Sequence, residues 1–401
     1  MKKLLIAGTA LVAAGTLPAG PASASDKIKI DLGGYSKWWV VGQWQDKSYE
    51  SNLNTVAPTA TSTPASGLSP TNVDIKGDNE IWFTGETTLN NGMKVGVTIE
   101  LEAGGNLETN GANGNTMDVI DQSYAYIEGG FGKVMLGTAS NGTVLLHVMA
   151  PDAASNWGNE GMITGGSTVV NPGLTKGANM RTTTELDTDD NAEKITYVSP
   201  TFHGLTVGGS YIPNALAEDD RNVGSTIDPI SNNARDVSAY GVGALYDRTF
   251  GEVGLKVSAG TIWYDVGAGT GRSIEWSAGT QLSYAGFTLG GAYRKINRND
   301  VNLAALGGTS TGSGQVWDAG LQYASGNYAV SVAYLHSESV GNNAVAGNDK
   351  LDIYQVSGKY ALGPGVDILA SAGHLKYADE VSAPANDNQG WTVMTGLSLT
   401  F

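Results

Sequence analysis

Gly390-Trp391-Thr392-Val393-Met394-Thr395-Gly396-Leu397-Ser398-Leu399-Thr400-Phe401 alternates with a period of two. Trp391, Val393, Thr395, Leu397, Leu399 and Phe401 share one face; Thr392, Met394, Gly396, Ser398 and Thr400 share the other. Successive side chains of a strand point to opposite faces, so the pattern predicts a strand with an apolar side and a small or polar side. Chain ends usually fray, yet this apolar strand runs to the last residue. A closed sheet accounts for that, because the final strand then pairs with the first and leaves no edge. Taken alone, the stretch also fits a docked edge strand of a sandwich.

The other end, Met1 to Ala24, has the layout of a secretory signal peptide: Lys2-Lys3, an apolar centre from Leu4 to Leu17, and Ala22-Ser23-Ala24 for cleavage. The mature chain is expected to run from residue 25 to 401 as a single barrel. No later stretch approaches the roughly 20 apolar residues of a spanning helix. The chain has 56 Gly, 17 Tyr and no Cys, and 15% of it is charged. No disulfide therefore braces it outside the cytoplasm. Its formal net charge is −16, and loss of the two lysines at the start leaves −18. Such acidity argues against nucleic acid as a partner. The mean hydropathy of −0.14 resembles a soluble protein. A membrane barrel gives the same average, because half of its strand residues face away from lipid.

Between the two ends the pattern is a meander of about sixteen strands. Tight turns are expected at Asn90-Asn91-Gly92, Gly129-Gly130, Ala285-Gly286 and Gly363-Pro364-Gly365. They alternate with long loops, the longest being Ala139 to Asn191. Short turns on one rim and long loops on the other are the layout of an outer-membrane barrel. The faces agree. Met93, Val95, Val97, Ile99 and Leu101 oppose Lys94, Gly96, Thr98 and Glu100; Tyr328, Val330, Val332 and Tyr334 oppose Ala329, Ser331 and Ala333. So many polar residues on the inner set predict a water-filled interior, which a barrel of this width allows. Tyr and Trp gather near strand ends, as interfacial girdles require.

Four motifs then carry a family resemblance. They are Ile81-Trp82-Phe83, Gly129-Gly130-Phe131-Gly132-Lys133-Val134, Tyr197-Val198-Ser199-Pro200 with Phe202-His203-Gly204-Leu205, and the closing Leu397-Ser398-Leu399-Thr400-Phe401. Together they make the chain similar to a Gram-negative general porin of the alpha-proteobacterial type. The resemblance implies an all-β, 16-stranded antiparallel transmembrane barrel with short periplasmic turns and long external loops. It implies a homotrimer in the outer membrane, among lipids and lipopolysaccharide, passing small hydrophilic solutes and ions by diffusion. It further implies that the third loop, 139–191, folds inward to narrow the pore, and that Phe401 acts as an assembly signal. The Pro-Glu-Phe-Gly-Gly-like motif frequent in that loop is missing here; Asn156-Trp157-Gly158-Asn159-Glu160-Gly161 stands nearest to it.

Asp152, Glu160, Glu185 and Asp187 are the expected acidic side of the constriction. Lys37, Lys94, Lys194, Lys256 and Arg294 occupy inward positions as candidates for a basic wall, mixed with Glu86, Glu100 and Asp121. Opposed charges across a narrow wet gap select solutes by charge. With the acidic balance, mild cation preference is expected; the alternative for any one of these residues is simple solvation of loop and lumen.

No enzyme chemistry is expected. The four His lack metal-ligand spacing, and no cofactor is called for. Asp187-Thr188-Asp189-Asp190 and Glu218-Asp219-Asp220-Arg221 lack an EF-hand pattern, which leaves at most adventitious Ca2+. An outer-membrane hydrolase would rest on His147 with Ser140 or Ser155. A sugar-selective channel would want an aromatic slide, for which Trp39 and Trp82 are the inward candidates, and an adhesin would carry its contacts on the external loops.

Overall fold

The computed structural model describes residues 27–53, 72–104, 120–158, 161–163, 168–172, 181–215, 238–265, 271–298, 312–384 and 386–401. The segment read as a signal peptide, Glu160, and the 218–221 acidic run lie outside the described residues. Sixteen antiparallel strands close into one barrel in sequence order. They are β1 (Lys29–Gln45), β2 (Val73–Thr88), β3 (Lys94–Glu102), β4 (Ile120–Gly129), β5 (Gly132–Thr138), β6 (Glu193–Val198), β7 (Leu205–Ile212) and β8 (Ser238–Phe250), followed by β9 (Val253–Asp265), β10 (Arg272–Tyr284), β11 (Phe287–Asn297), β12 (Gly314–Ser325), β13 (Tyr328–Ser339), β14 (Asp349–Gly363), β15 (Val366–Ala378) and β16 (Asn388–Thr400). Two short helices sit in loops, α1 (Lys47–Leu53) and α2 (Gly142–Leu145). Among the described residues no helix is long and apolar enough to cross a membrane.

Closure runs through the stretch quoted above. β16 pairs with β1 from Tyr35↔Thr400 to Gln45↔Gly390. Gly34 and Phe401 then exchange both backbone hydrogen bonds, at 3.0 and 3.1 Å. No strand is left at an edge, so the open ladder groups that make sheets stick to one another are satisfied within the chain. The expected faces hold: Trp391, Val393 and Phe401 are exposed outward, while Thr392 and Met394 are buried inward.

Two rows of outward aromatics ring the barrel. Near the long-loop rim, Tyr211–Tyr240, Trp276–Tyr293, Trp317–Tyr334 and His374–Trp391 pack with ring centres 4.8 to 5.1 Å apart. Near the short-turn rim, Phe287–Tyr323 and Tyr328–Tyr360 lie at 4.6 and 4.8 Å. Amphipathic rings at two levels mark the two interfaces of a bilayer, with aliphatic side chains between them.

The interior departs from expectation on one side. Over β12 to β16 and part of β1 it is dry: Leu335, Leu351, Ile353 and Leu375 are fully buried, packed with Trp39, Met394 and the loop residues Ala154, Met162, Ile163 and Val169. A domain-like core has formed inside the barrel because a loop covers that wall.

Candidate functional site

The covering loop joins β5 to β6. It begins with Asn141, whose Oδ1 accepts from the backbone N–H groups of Thr143 and Val144 and so caps α2. The helix lies directly on the backbone of β7 to β9, on a floor cleared by glycines. A Cβ on Gly243 or Gly260 would press into Thr143, and one on Gly208 into Leu146 and the Gly142 carbonyl.

From α2 the loop follows the inner wall, and inward polar side chains take up its backbone groups in turn. Ser210 Oγ on β7 accepts from the Gly142 N–H (2.8 Å), Ser258 Oγ on β9 from Val148 (3.0 Å) and Ser331 Oγ on β13 from Ala153 (2.9 Å). Gln281 on β10 donates to the Met149 carbonyl, and Asn156 donates to Ser371 Oγ on β15. Further along, the Val170 N–H reaches Gln45 on β1 while Asn388 on β16 donates to the Val170 carbonyl. A loop inside a barrel is buried on its wall side, so its amides and carbonyls need these partners.

Charged side chains clamp it at three places. Asp318 on β12 is buried and accepts from the backbone N–H groups of Ala150 (3.0 Å) and Ala292 (2.9 Å), from Thr184 Oγ1 (3.1 Å) and from Trp157 Nε1 (3.4 Å). Arg294 on β11 is fully buried. It donates to Glu275 on β10 at 2.6 Å, to Asp187 at 2.7 Å and to Thr188 Oγ1 at 2.8 Å, while Arg298 meets the second oxygen of Glu275 at 3.2 Å. At the loop's two ends, Lys194 on β6 bridges the carbonyls of Ala139 and Asp190 and pairs with Asp189 at 3.2 Å, both side chains fully buried. Burial raises the Asp189 carboxyl above its ordinary range, against the pull of Lys194. His147 faces Thr184 Oγ1 at 3.0 Å; burial and the nearby Arg294 hold its imidazole down to about 3, so it is neutral.

The opposite wall, β2 to β5 with the Tyr35–Lys37 end of β1, meets this loop less: Ala139 and Leu145 pack with Tyr124, Tyr126 and Met135, and Asp121 accepts from Asn191. Lys37 pairs with Asp78 at 3.4 Å and Lys94 with Glu86 at 3.0 Å. Tyr126 donates to Glu86, and Lys133 lies 4.1 Å from the Tyr126 ring centre. Trp82 Nε1 donates to Glu80 at 2.6 Å. Asp78, Glu80, Glu86, Glu100 and Glu102 thus outnumber Lys37, Lys94 and Lys133 on these inward positions.

Several anticipated site residues are placed differently from the simple opposed-wall picture. Lys194 and Arg294 point inward, but the loop covers both at 0% exposure, so neither lines open water. Asp187 is bound to Arg294 and does not face a basic wall across a gap. Asp152 is buried against the covered wall, accepting from Asn156 N, Ser331 Oγ and Gln355 Nε2. Glu185 is half-buried and accepts from Thr183 Oγ1. Lys256 is partly exposed and pairs with Asp247 at 3.4 Å, while Glu100 is buried at 5% exposure. His147 is bonded to a threonine, and the Ser140 hydroxyl has no hydrogen-bond partner, so these two do not form a nucleophile and base. Nothing in the sequence marks Ser210, Ser258, Ser331, Glu275 and Asp318 as anchors. Their one sequence signal is an inward strand position, which a wet lumen would explain equally well.

A family profile described as Gram-negative porin matches residues 7–380. The major outer membrane protein of Pasteurella multocida is 32% identical over 109 residues, which are 27% of this chain and 28% of that protein. Two solved structures share the fold at a TM-score of 0.56. The anion-selective porin from Comamonas acidovorans is 17% identical, covering 94% of this chain and 100% of its own. The outer membrane channel DcaP of Acinetobacter baumannii is 13% identical, covering 94% and 98%. The outer membrane protein OmpT of Vibrio cholerae, solved in trimer form, has a TM-score of 0.54 with 12% identity, covering 94% of this chain and 100% of its own.

Proposed function

The chain belongs to the Gram-negative porin family, and on that premise we propose that it forms a water-filled diffusion channel for small hydrophilic solutes and ions with a mild preference for cations. It is an outer-membrane β-barrel and, as a porin, a channel rather than an enzyme. The observation that carries the proposal is the division of the interior. One wall is covered by the described part of the 139–191 loop, and the other keeps a partly paired, acid-rich set of inward positions on which Asp78, Glu80, Glu86, Glu100 and Glu102 outnumber Lys37, Lys94 and Lys133. Carboxylates along a narrow wet passage favour cations through the local field. The loop is the constriction in this reading. Its acidic residues Asp152 and Asp187 act there mainly as struts, and selectivity falls to the more open wall. Assembly as a homotrimer, with Phe401 as part of the assembly signal and residues 1–24 removed on export, completes the reading; the trimer form of the OmpT fold relative supports it.

The test is single-channel recording in a planar bilayer under a salt gradient, with folded protein in detergent. Stable steps grouped in threes and a reversal potential on the cation side support the reading. A reversal potential on the anion side overturns the selectivity and leaves the channel. Folded protein that conducts nothing overturns both.

A further inference from the structure

Two loops of the long-loop rim, 340–348 between β13 and β14 and 379–387 between β15 and β16, bring three carboxylates to one spot. Asp349 opens β14, and Asp379 and Glu380 follow β15. One oxygen from each lies within 4.8 Å of the others. That spread is twice a Ca–O bond of about 2.4 Å, so a single ion can touch all three.

The closeness alone decides nothing; Asp349 does. Its side chain is 1% exposed, and its Oδ2 has no hydrogen-bond partner. Its Oδ1 accepts a long bond from the Glu380 N–H, at 3.4 Å. No lysine or arginine pairs with it among the described residues. An uncompensated buried carboxylate oxygen is expensive, and beside a second carboxylate it is more so. Glu380 Oε2 is likewise buried without a hydrogen-bond partner, and a Cβ on Gly341 would strike both it and Asp349 Oδ2, so the two unsatisfied oxygens converge on one point of the 340–348 loop. Ser339, the register partner of Asp349, adds another buried hydroxyl without a hydrogen-bond partner. The third carboxylate is oriented by its own loop: the Asp379 N–H donates to Asp387, and Asp379 Oδ1 accepts from Val381 N.

We propose that Asp349, Asp379 and Glu380 hold a divalent cation that ties the 340–348 loop to the 379–387 loop. Carboxylate-only ligands from two loops, with open positions for water, suit Ca2+, which accepts six to eight oxygens in flexible geometry; Mg2+ demands a near-ideal octahedron. The site stands apart from the pore and does not depend on its selectivity.

The experiment is equilibrium dialysis of the chelator-treated, folded full chain against radiolabelled Ca2+, for wild type, Asp349→Asn, Glu380→Gln and the control Glu102→Gln. The control removes a carboxylate from the separate Glu80–Glu102–Asp121 group on the more open wall. Wild type is expected to bind with a dissociation constant of about 10⁻⁴ to 10⁻³ M, the range of extracellular Ca2+ modules. Asp349→Asn is expected to weaken that binding at least about tenfold, with Glu102→Gln leaving the same sites in place. Unchanged binding in Asp349→Asn overturns the proposal, as does loss in Glu102→Gln alone or no binding by wild type. If Asp349→Asn does not fold, Glu380→Gln decides by the same criteria.

Discussion

The two halves of the barrel interior are made by the same strand pattern and end in opposite states. Under the loop, β12 to β16 bury Leu335, Leu351, Ile353 and Leu375 completely, and charges such as Arg294 and Glu275 are locked in pairs. Across the lumen, Lys94 and Glu86 remain 43% and 34% exposed although they too are paired. A covered ion pair has lost its water and depends on its partner; an exposed one keeps its solvation and depends on it little. The covered wall is therefore where stability is expected to be set, and under the proposed function the more open wall is where solutes are chosen.

The hardest way to break that contrast is Arg294→Ala. It strands Glu275 and Asp187 without their main partner, for an expected loss of about 3–5 kcal/mol. Denaturant unfolding should show it, with larger and noisier conductance steps from a loop no longer held. Asp318→Ala comes next. It leaves the Ala150 and Ala292 amides unpaired, at about 1–3 kcal/mol for each buried donor, and protease should then cut within 139–191 at a concentration that spares wild type.

Acid tests the same wall. His147 titrates near 3 where it is packed and at about 6.5 when released. The released loop thus binds a proton that the packed loop refuses. Anchoring should weaken as pH falls from about 6.5 towards 3 and show no dependence on this group above that window. Conductance noise between pH 4 and 8 measures it, and His147→Gln should flatten the curve.

The smallest stability effect is expected on the more open wall. Glu86→Gln and Lys94→Gln should each change stability by less than about 1 kcal/mol. They should nevertheless move the reversal potential in opposite senses, Glu86→Gln towards anions. A stability loss as large as that of Arg294→Ala would erase the distinction between the walls.

Strands were legible because alternation reports burial on one face, and Trp391 to Phe401 shows it without interruption. That the 139–191 loop turns inward followed from the family resemblance, but which wall it covers did not. Lys350 and Asp352 point outward while Leu351 and Ile353 point inward, the reverse of a lipid-facing strand. Such a reversal marks a segment near the rim whose inner face meets protein, but it becomes readable only once the covering chain is known. The inward serines were equally silent, since a hydroxyl suits water and a backbone amide alike. Lys194 looked like a pore residue for the same reason, until the carbonyls of Ala139 and Asp190 closed over it.

The glycine floor beneath α2 has a consequence for how such a channel can change over generations. Gly208, Gly243 and Gly260 set the height at which the loop enters the barrel, so a side chain gained at any of them presses on α2, most directly at Gly243, where it would meet the Thr143 backbone at 2.9 Å. Substitutions at Lys37, Lys94 or Glu86 disturb local pairs alone. Variation should accumulate on the second set and be purged from the first, which gives a lineage a route to new permeants without rebuilding its scaffold.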